Sequence, residues 1–234
     1  MDMGGEIPVW TYSYDGISLQ NQRAVNMDSL LLKTRMIQGR NFCIAVVCDG
    51  VGSMQDGQFA AVTAVTLLNH WFSQIEDDCV CGPCLREQVL KVNRAIYEEA
   101  QNRRLQTATT LSALLIGPEK YSVVHAGDSR IYCYQDGKVT TLTQDHVSAA
   151  GKLTSCLGRW PETQILYQEG SLGRCLFLLC SDGLYKRMDA GLLQRELKRA
   201  GHRQFRKTLE RLSQYVIAQG EKDNISLALV KCEN

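Results

Sequence analysis

Residues 42–48, Phe42-Cys43-Ile44-Ala45-Val46-Val47-Cys48, form an unbroken apolar run. With no polar position in alternation, it predicts a strand buried on both faces. The run stops at Asp49-Gly50, and beyond Gln58 the apolar spacing changes. Ala61, Ala64, Val65, Leu68, Trp71 and Ile75 follow a helical period, and Leu85, Val89, Val92, Ile96 and Ala100 predict a second helix. Two strand-like runs come before, Val9–Tyr14, closed by the turn signal Asp15-Gly16, and Ser29–Lys33. Four come after: Thr110–Ile116, Tyr121–His125, Ile131–Tyr134 and Val139–Leu142, with turns at Gly117-Pro118 and Asp136-Gly137. Residues 146–163 show no clear period. Gln164–Gln168 and Cys175–Cys180 are strand-like, and helices are predicted near 190–200 and 204–219, the latter with Phe205, Leu209, Leu212 and Val216 on one face. Ile225–Val230 is the last strand.

The order is strands, two helices, many strands, two helices, one strand. Tight turns between consecutive strands predict mainly antiparallel pairing. The fold class expected is α+β: two mainly antiparallel sheets, each covered on its outer side by a helix pair. No linker or repeat divides the chain, so residues 1–234 are expected to be a single domain.

Composition changes this picture little. The chain is 44% hydrophobic and 22% charged, with a net charge of +1, so no overall field points to nucleic acid or a membrane surface. No apolar run approaches the roughly 20 residues that cross a bilayer. The opening MDMGGEIPVW lacks a basic stretch followed by an apolar one, so a cytoplasmic location is expected. Of the ten cysteines, Cys43, Cys48, Cys133, Cys175, Cys180 and Cys232 lie in or beside strand-like runs, where a reduced thiol acts as a small hydrophobe.

The chemistry begins where apolar runs end. Val46-Val47-Cys48-Asp49-Gly50, Val124-His125-Ala126-Gly127-Asp128 and Leu179-Cys180-Ser181-Asp182-Gly183 each finish in an aspartate beside a glycine, and Asp223 stands just before the last strand. Asp-Gly alone is a common turn dipeptide. Repeated at three strand ends, it points to rigidly held carboxylates. If they converge, their mutual repulsion calls for divalent cations, and an all-oxygen donor set favours Mg²⁺ or Mn²⁺ over zinc.

The ordered set of motifs resembles the PPM-type metal-dependent protein phosphatases, the 2C-like class, in their bacterial form. The matching segments are Arg23-Ala24-Val25-Asn26-Met27-Asp28, Asp49-Gly50-Val51-Gly52, Thr109-Thr110, Gly127-Asp128-Ser129-Arg130, Leu142-Thr143-Gln144-Asp145-His146, Ser181-Asp182-Gly183-Leu184 and Asp223-Asn224-Ile225-Ser226, in family order over residues 23–226. The resemblance implies an αββα sandwich. It also implies hydrolysis of phosphoserine and phosphothreonine in proteins by a water bridging two divalent cations, Mn²⁺ or Mg²⁺. In that scheme Asp49 bridges the two metals, the Gly50 carbonyl binds one, and Asp182 and Asp223 complete the other. Asp28 acts on the Gly50-side metal through water, Asp128 with Asp182 serves a third metal, and Arg23 binds the substrate phosphate. The implied partners are phosphorylated proteins and the kinase that modifies them.

Departures from the family pattern matter too. Val51 stands where some members carry a proposed histidine acid, Met27 replaces an acidic or amide residue, and Ser53 replaces a glycine. The span from His146 to Ser181 is too short for the family's full flap, which predicts an open site and broad substrate choice. His125 and His146 match no family ligand and are expected to be structural. Cys79-x-Cys81-x-x-Cys84 has a spacing known from thiol redox centres and zinc sites, but no fourth ligand is local, and it is taken as an inter-helix loop. Residues 191–211 carry seven Lys/Arg and two Asp/Glu, taken as a solvated helical face rather than a dock for acidic partners. From another class, a catalytically weak phosphoprotein-binding module of the same fold is the alternative. Retention of Asp49, Asp128, Asp182 and Asp223 weighs against it. A sporulation-type phosphatase domain acting on one regulatory protein shares the chemistry.

Overall fold

The structure, a computed structural model, describes residues 10–76, 80–200 and 204–234. Its strands are β1 (Thr11–Leu19), β2 (Asp28–Ile37), β3 (Arg40–Asp49), β4 (Leu111–Ile116), β5 (Lys120–Ala126), β6 (Arg130–Gln135), β7 (Lys138–Thr141), β8 (Leu166–Ser171), β9 (Cys175–Cys180) and β10 (Ile225–Glu233). Its helices are α1 (Gly57–Gln74), α2 (Gly82–Arg103), α3 (Asp182–Tyr185), α4 (Ala190–Ala200) and α5 (Phe205–Ala218). One sheet runs β1-β10-β9-β6-β7 and the other β2-β3-β4-β5-β8, with every pairing antiparallel. The expected sandwich of two sheets between helical layers is what forms.

Three apolar layers hold it together. Between the sheets lie Cys43, Ala45 and Val47 of β3 against Phe177 and Leu179 of β9 and Ala228 and Val230 of β10. The alternate residues Phe42, Ile44, Val46 and Cys48 face outward under Leu68 and Phe72 of α1 and Val89 and Ile96 of α2. Leu176, Leu178, Leu227 and Leu229 do the same under Leu193, Leu197, Leu209 and Leu212 of α4 and α5. Both faces of β3, β9 and β10 are therefore dry, which is why their sequences do not alternate. Such a layer carries most of the stability, at about 25 cal/mol per Å² of apolar surface removed from water.

The first strand departs from expectation. Asp15-Gly16 is not a turn: β1 continues to Leu19, paired throughout with β10 from Thr11↔Glu233 to Leu19↔Ile225. Gly16 sits where an added Cβ would meet Leu32 Cδ1 at 2.8 Å, and Asp15 is held by Arg206 at 2.5 Å. The dipeptide thus serves inter-sheet packing and an ion pair rather than chain reversal. The hairpin at Asp136-Gly137 forms as predicted, with φ of 50° and 80°. A matching one at Gln38-Gly39, φ 48° and 75°, joins a β2 that is longer than the predicted Ser29–Lys33. The described residues of the basic stretch are largely surface, but Arg199 and Arg211 both grip Glu196, whose side chain is only 3% exposed. No described helix is long and apolar enough to cross a membrane.

Candidate metal centre and active site

The site lies at one end of the sandwich, where strand ends from both sheets meet. Asp28 opens β2 directly opposite Asp49, the last residue of β3. Asp128 lies in the turn between β5 and β6, Asp182 opens α3 behind β9, and Asp223 precedes β10. Arg23, Asp49, Gly50, Asp128, Asp182 and Asp223 line one cavity of about 310 Å³, together with Val25, Val51 and Leu153. Every sequence-predicted site residue reaches this cavity except Asp28, which is buried beneath it.

The backbone around Asp49 is fixed from several sides. Its amide donates to Thr110 Oγ1 at 3.0 Å, and its carbonyl accepts from the Thr110 amide at 2.8 Å and from Thr109 Oγ1 at 3.0 Å. Gly50 must be glycine, because a Cβ there would meet the Gly57 carbonyl oxygen at 2.5 Å and that of Met27 at 2.8 Å. At Gly183 an added Cβ would collide with the Asn224 carbonyl. Helix α1 begins at Gly57, pressed against Gly50, with Asp56 capping it through the Phe59 amide at 2.9 Å.

Electrostatics set the chemistry. Burial, and then the charges of Asp28, Asp182, Asp128 and Asp223, push the Asp49 carboxyl well above the usual carboxylate range. Burial raises Asp28 to about 7, with Asp182 and Asp223 adding to it against the hydrogen bonds of Ser226 and Ser181. Burial, with Asp182 behind it, raises Asp128 to about 6, opposed by Lys186. Asp223 moves the other way: burial is overcome by Arg23, and the carboxyl sits below its ordinary value.

Two cations neutralise part of this cluster. Arg23 forms a two-pronged pair with Asp223, Nε to Oδ1 at 2.8 Å and Nη2 to Oδ2 at 2.6 Å. Lys186, just beyond α3, donates to Asp182 Oδ2. Five carboxyl groups therefore face two cations. With Asp182 and Asp223 turned to these partners, no three acidic, histidine or cysteine side chains close into a ready-made ligand cage among the described residues. Still, the donor set fits a divalent cation. All donors are hard oxygens, and Asp28 Oδ1 is the one buried side-chain polar atom among the described residues with no hydrogen-bond partner.

Sequence reasoning missed three contributors. Lys186 has no motif signal, because a four-residue helix shows no period. Asn224 stitches down the Arg23 loop: its Nδ2 donates to the carbonyls of Gln20 at 2.9 Å and Val25 at 3.1 Å, while Oδ1 accepts from the Met27 amide at 2.9 Å. Ser181 donates to Asp28 Oδ2 at 2.8 Å and accepts from the Ser226 amide at 3.0 Å. Asp223-Asn224 and Ser181-Asp182 were visible as motifs, but the jobs of Asn224 and Ser181 were not. Other motif residues are structural. Arg130 pairs with Asp145 at 2.9 and 2.7 Å and stacks on Tyr185, while His146 Nδ1 accepts from the Gly127 amide at 3.3 Å and His125 bonds Ser112 Oγ at 3.0 Å. After His146 the chain makes a tight loop: the Ser148 amide donates to the Lys152 carbonyl at 2.8 Å, Val147 bridges Leu153, and Leu153 reaches the cavity wall.

The Protein phosphatase 2C family matches residues 16–229, and the chain belongs to it. Among curated relatives, the serine/threonine protein phosphatase PstP of Mycobacterium tuberculosis is 26% identical over 187 residues, covering 69% of this chain and 34% of that protein. The chain thus spans about a third of that relative's length. The serine/threonine phosphatase stp of Listeria monocytogenes is 26% identical over 217 residues, covering 80% of this chain and 84% of that one. Among solved structures, a bacterial serine phosphatase superposes with a TM-score of 0.85 at 20% identity, covering 96% of this chain and 99% of that chain. The catalytic domain of PstP in complex with two manganese ions superposes with a TM-score of 0.80 at 23% identity, covering 97% and 100%. These likenesses establish the same fold.

Proposed function

We propose that the chain is a protein-serine/threonine phosphatase that depends on two or three divalent cations, Mn²⁺ or Mg²⁺. The observation that carries this is the convergence of Asp49, Asp128, Asp182 and Asp223 on one cavity, with Asp28 buried beneath it and Arg23 at its wall. Family membership and the phosphatase relatives support it. Asp49, Asp182, Asp223 and the Gly50 carbonyl would hold the principal cations, with Asp28 behind them and Asp128 beside Asp182. When bound, the cations supply Lewis-acid stabilisation of charge on phosphate and make hydroxide available near neutral pH.

The chain's own residues do the rest. Arg23 presents a planar pair of donors, now bonded to Asp223, at the height where a phosphate would enter; the same fork suits two phosphoryl oxygens. Its side chain is 56% exposed, so it can turn from one acceptor to the other. Lys186 adds a second positive charge, paired with Asp182. The Thr109-Thr110 hydroxyls hold the Asp49 backbone and Asn224 holds the backbone on either side of Arg23, at Gln20 and Val25, so that charge developing in the transition state meets fixed groups. The Val51 side chain has no proton to give to the departing serine or threonine oxygen, which leaves solvent or a bound water as the source.

The substrates proposed are phosphorylated proteins, those of a partner Ser/Thr kinase, in the cytoplasm. All five aspartates are present, which disfavours a binding module that has lost catalysis. The test is hydrolysis of phosphoserine and phosphothreonine peptides after chelation and stepwise return of Mn²⁺ or Mg²⁺. Activity should vanish with EDTA and return with either ion; undiminished hydrolysis in EDTA would exclude the proposal.

A further inference from the structure

The Cys-Gly-Pro-Cys segment sits far from the aspartates, at the start of the 22-residue helix α2. Cys81 is the residue before the first helical turn and Cys84 lies within that turn. Their sulfurs stand 2.9 Å apart, and both side chains are half-buried. Cys81 makes no capping bond to the helix, so its sulfur is directed at Cys84 rather than at the free backbone amides. The intervening residues hold the pair in place. Pro83 presets the helical φ, and Gly82 packs so tightly that an added Cβ would collide with Ser122 Oγ, with Tyr167 Oη at 2.5 Å and with Glu169 Oε1 at 2.7 Å. The expectation of a plain inter-helix loop does not describe this arrangement; Cys79, the third thiol of the motif, lies outside the described residues.

We propose that Cys81 and Cys84 form a reversible dithiol–disulfide site that exchanges with small-molecule disulfides. Cys81 lines a cavity of about 170 Å³, walled by Arg40, Lys120, Glu119 and Glu169 beside the Gly117-Pro118 turn, whereas Cys84 does not. Cys81 is thus the sulfur a small disulfide reaches first. The Cys81 thiolate attacks one sulfur of the disulfide, giving a mixed disulfide and one released thiol. The Cys84 thiolate then attacks the Cys81 sulfur, closing the internal disulfide and releasing the second thiol. Two protein thiols are oxidised and one external disulfide is reduced to two thiols; the reverse reaction needs only an external dithiol. Cys43, Cys48, Cys133, Cys156, Cys175, Cys180 and Cys232 are all buried, out of reach of such exchange.

The test uses the full chain loaded with Mn²⁺ and equilibrated in mixtures of reduced and oxidised glutathione. Remaining thiols are alkylated and mapped by mass spectrometry with fragment ions that place each bond. Cys81 and Cys84 should lose alkylation together, with the mass of one internal disulfide, and regain it with dithiothreitol. Cys84→Ser should stop at a glutathione adduct on Cys81, and Cys81→Ser should leave Cys84 alkylated across the same range. The proposal is overturned if both thiols stay alkylated in the most oxidising mixture. A glutathione adduct on Cys84 in the wild type, or a bond that joins Cys79 to either thiol, overturns it as well.

Discussion

Asp28→Asn should stabilise the metal-free protein above neutral pH and destabilise it in mild acid. Asp28 is 7% exposed, with one oxygen bonded to Ser181 and the other unpartnered. Its carboxyl is raised from 3.8 to about 7, chiefly by burial. At about 1.4 kcal/mol per unit, ionising it in the folded state costs about 4 kcal/mol. The folded pKa exceeds the unfolded one, so the folded protein binds this proton more tightly. Its stability is therefore greatest below the unfolded pKa and falls as pH rises towards about 7. Asparagine removes that fall. It also places an amide N–H at the unpartnered position, a cost of about 1–3 kcal/mol. The net change is a gain of about 1–3 kcal/mol at pH 8 and a loss of up to about 2 kcal/mol at pH 4.5, where the wild type has itself lost about 1 kcal/mol. Urea unfolding of EDTA-treated protein at the two pH values measures it. With Mn²⁺ added at pH 8 the advantage should shrink, because the wild type gains more from binding. A difference between variant and wild type that does not change with pH would refute the account of Asp28.

Four further outcomes follow from the site and the fold. Lys186→Met removes a cation competing for Asp182 and should tighten Mn²⁺ binding about twofold to fivefold by calorimetry, a modest figure because the lysine is half-exposed; unchanged or weaker binding would count against competition. Arg23→Ala should raise KM more than it lowers kcat if Arg23 grips ground state and transition state alike, and an unchanged kcat/KM would remove it from phosphate binding. Glu196→Ala strips two guanidinium groups of their shared carboxylate and should cost about 1–3 kcal/mol in denaturant unfolding; a loss within error would show the pairs to be idle. Phosphopeptides of differing sequence should vary little in kcat/KM if the short span from His146 to Ser181 leaves little chain to contact residues beyond the phosphate. Each tenfold preference needs about 1.4 kcal/mol of differential contact, and a several-hundredfold preference would reveal another recognition surface.

The sandwich was legible because β3, β9 and β10 are apolar on both faces and α1, α2, α4 and α5 are not. The aspartates were legible because rigid strand ends repeat one local signature. What was lost depended on contacts distant in sequence. Asp15-Gly16 has the composition of a turn but is straightened by nine residues of pairing with β10 and by Arg206. Asn224 acts on a loop about 200 positions away, and Lys186 acts over one turn of a helix too short to show a period. Arg23 was expected at the phosphate, and its bond to Asp223 depends on a carboxylate that only the closed β1–β10 edge brings near. Residue type at each of these positions is compatible with an ordinary surface, so the fold alone distinguishes them.

The central claim is that Asp49 organises a cation-dependent phosphate-cleaving centre. Its most direct test is phosphate release from a phosphothreonine peptide as Mn²⁺ is titrated into chelator-treated wild type and Asp49→Asn. The wild type should rise from no turnover to saturation, while the variant, folded by circular dichroism, should stay near the blank at every concentration. Wild-type turnover that ignores Mn²⁺ and Mg²⁺, or an Asp49→Asn curve that matches the wild type, would contradict the account.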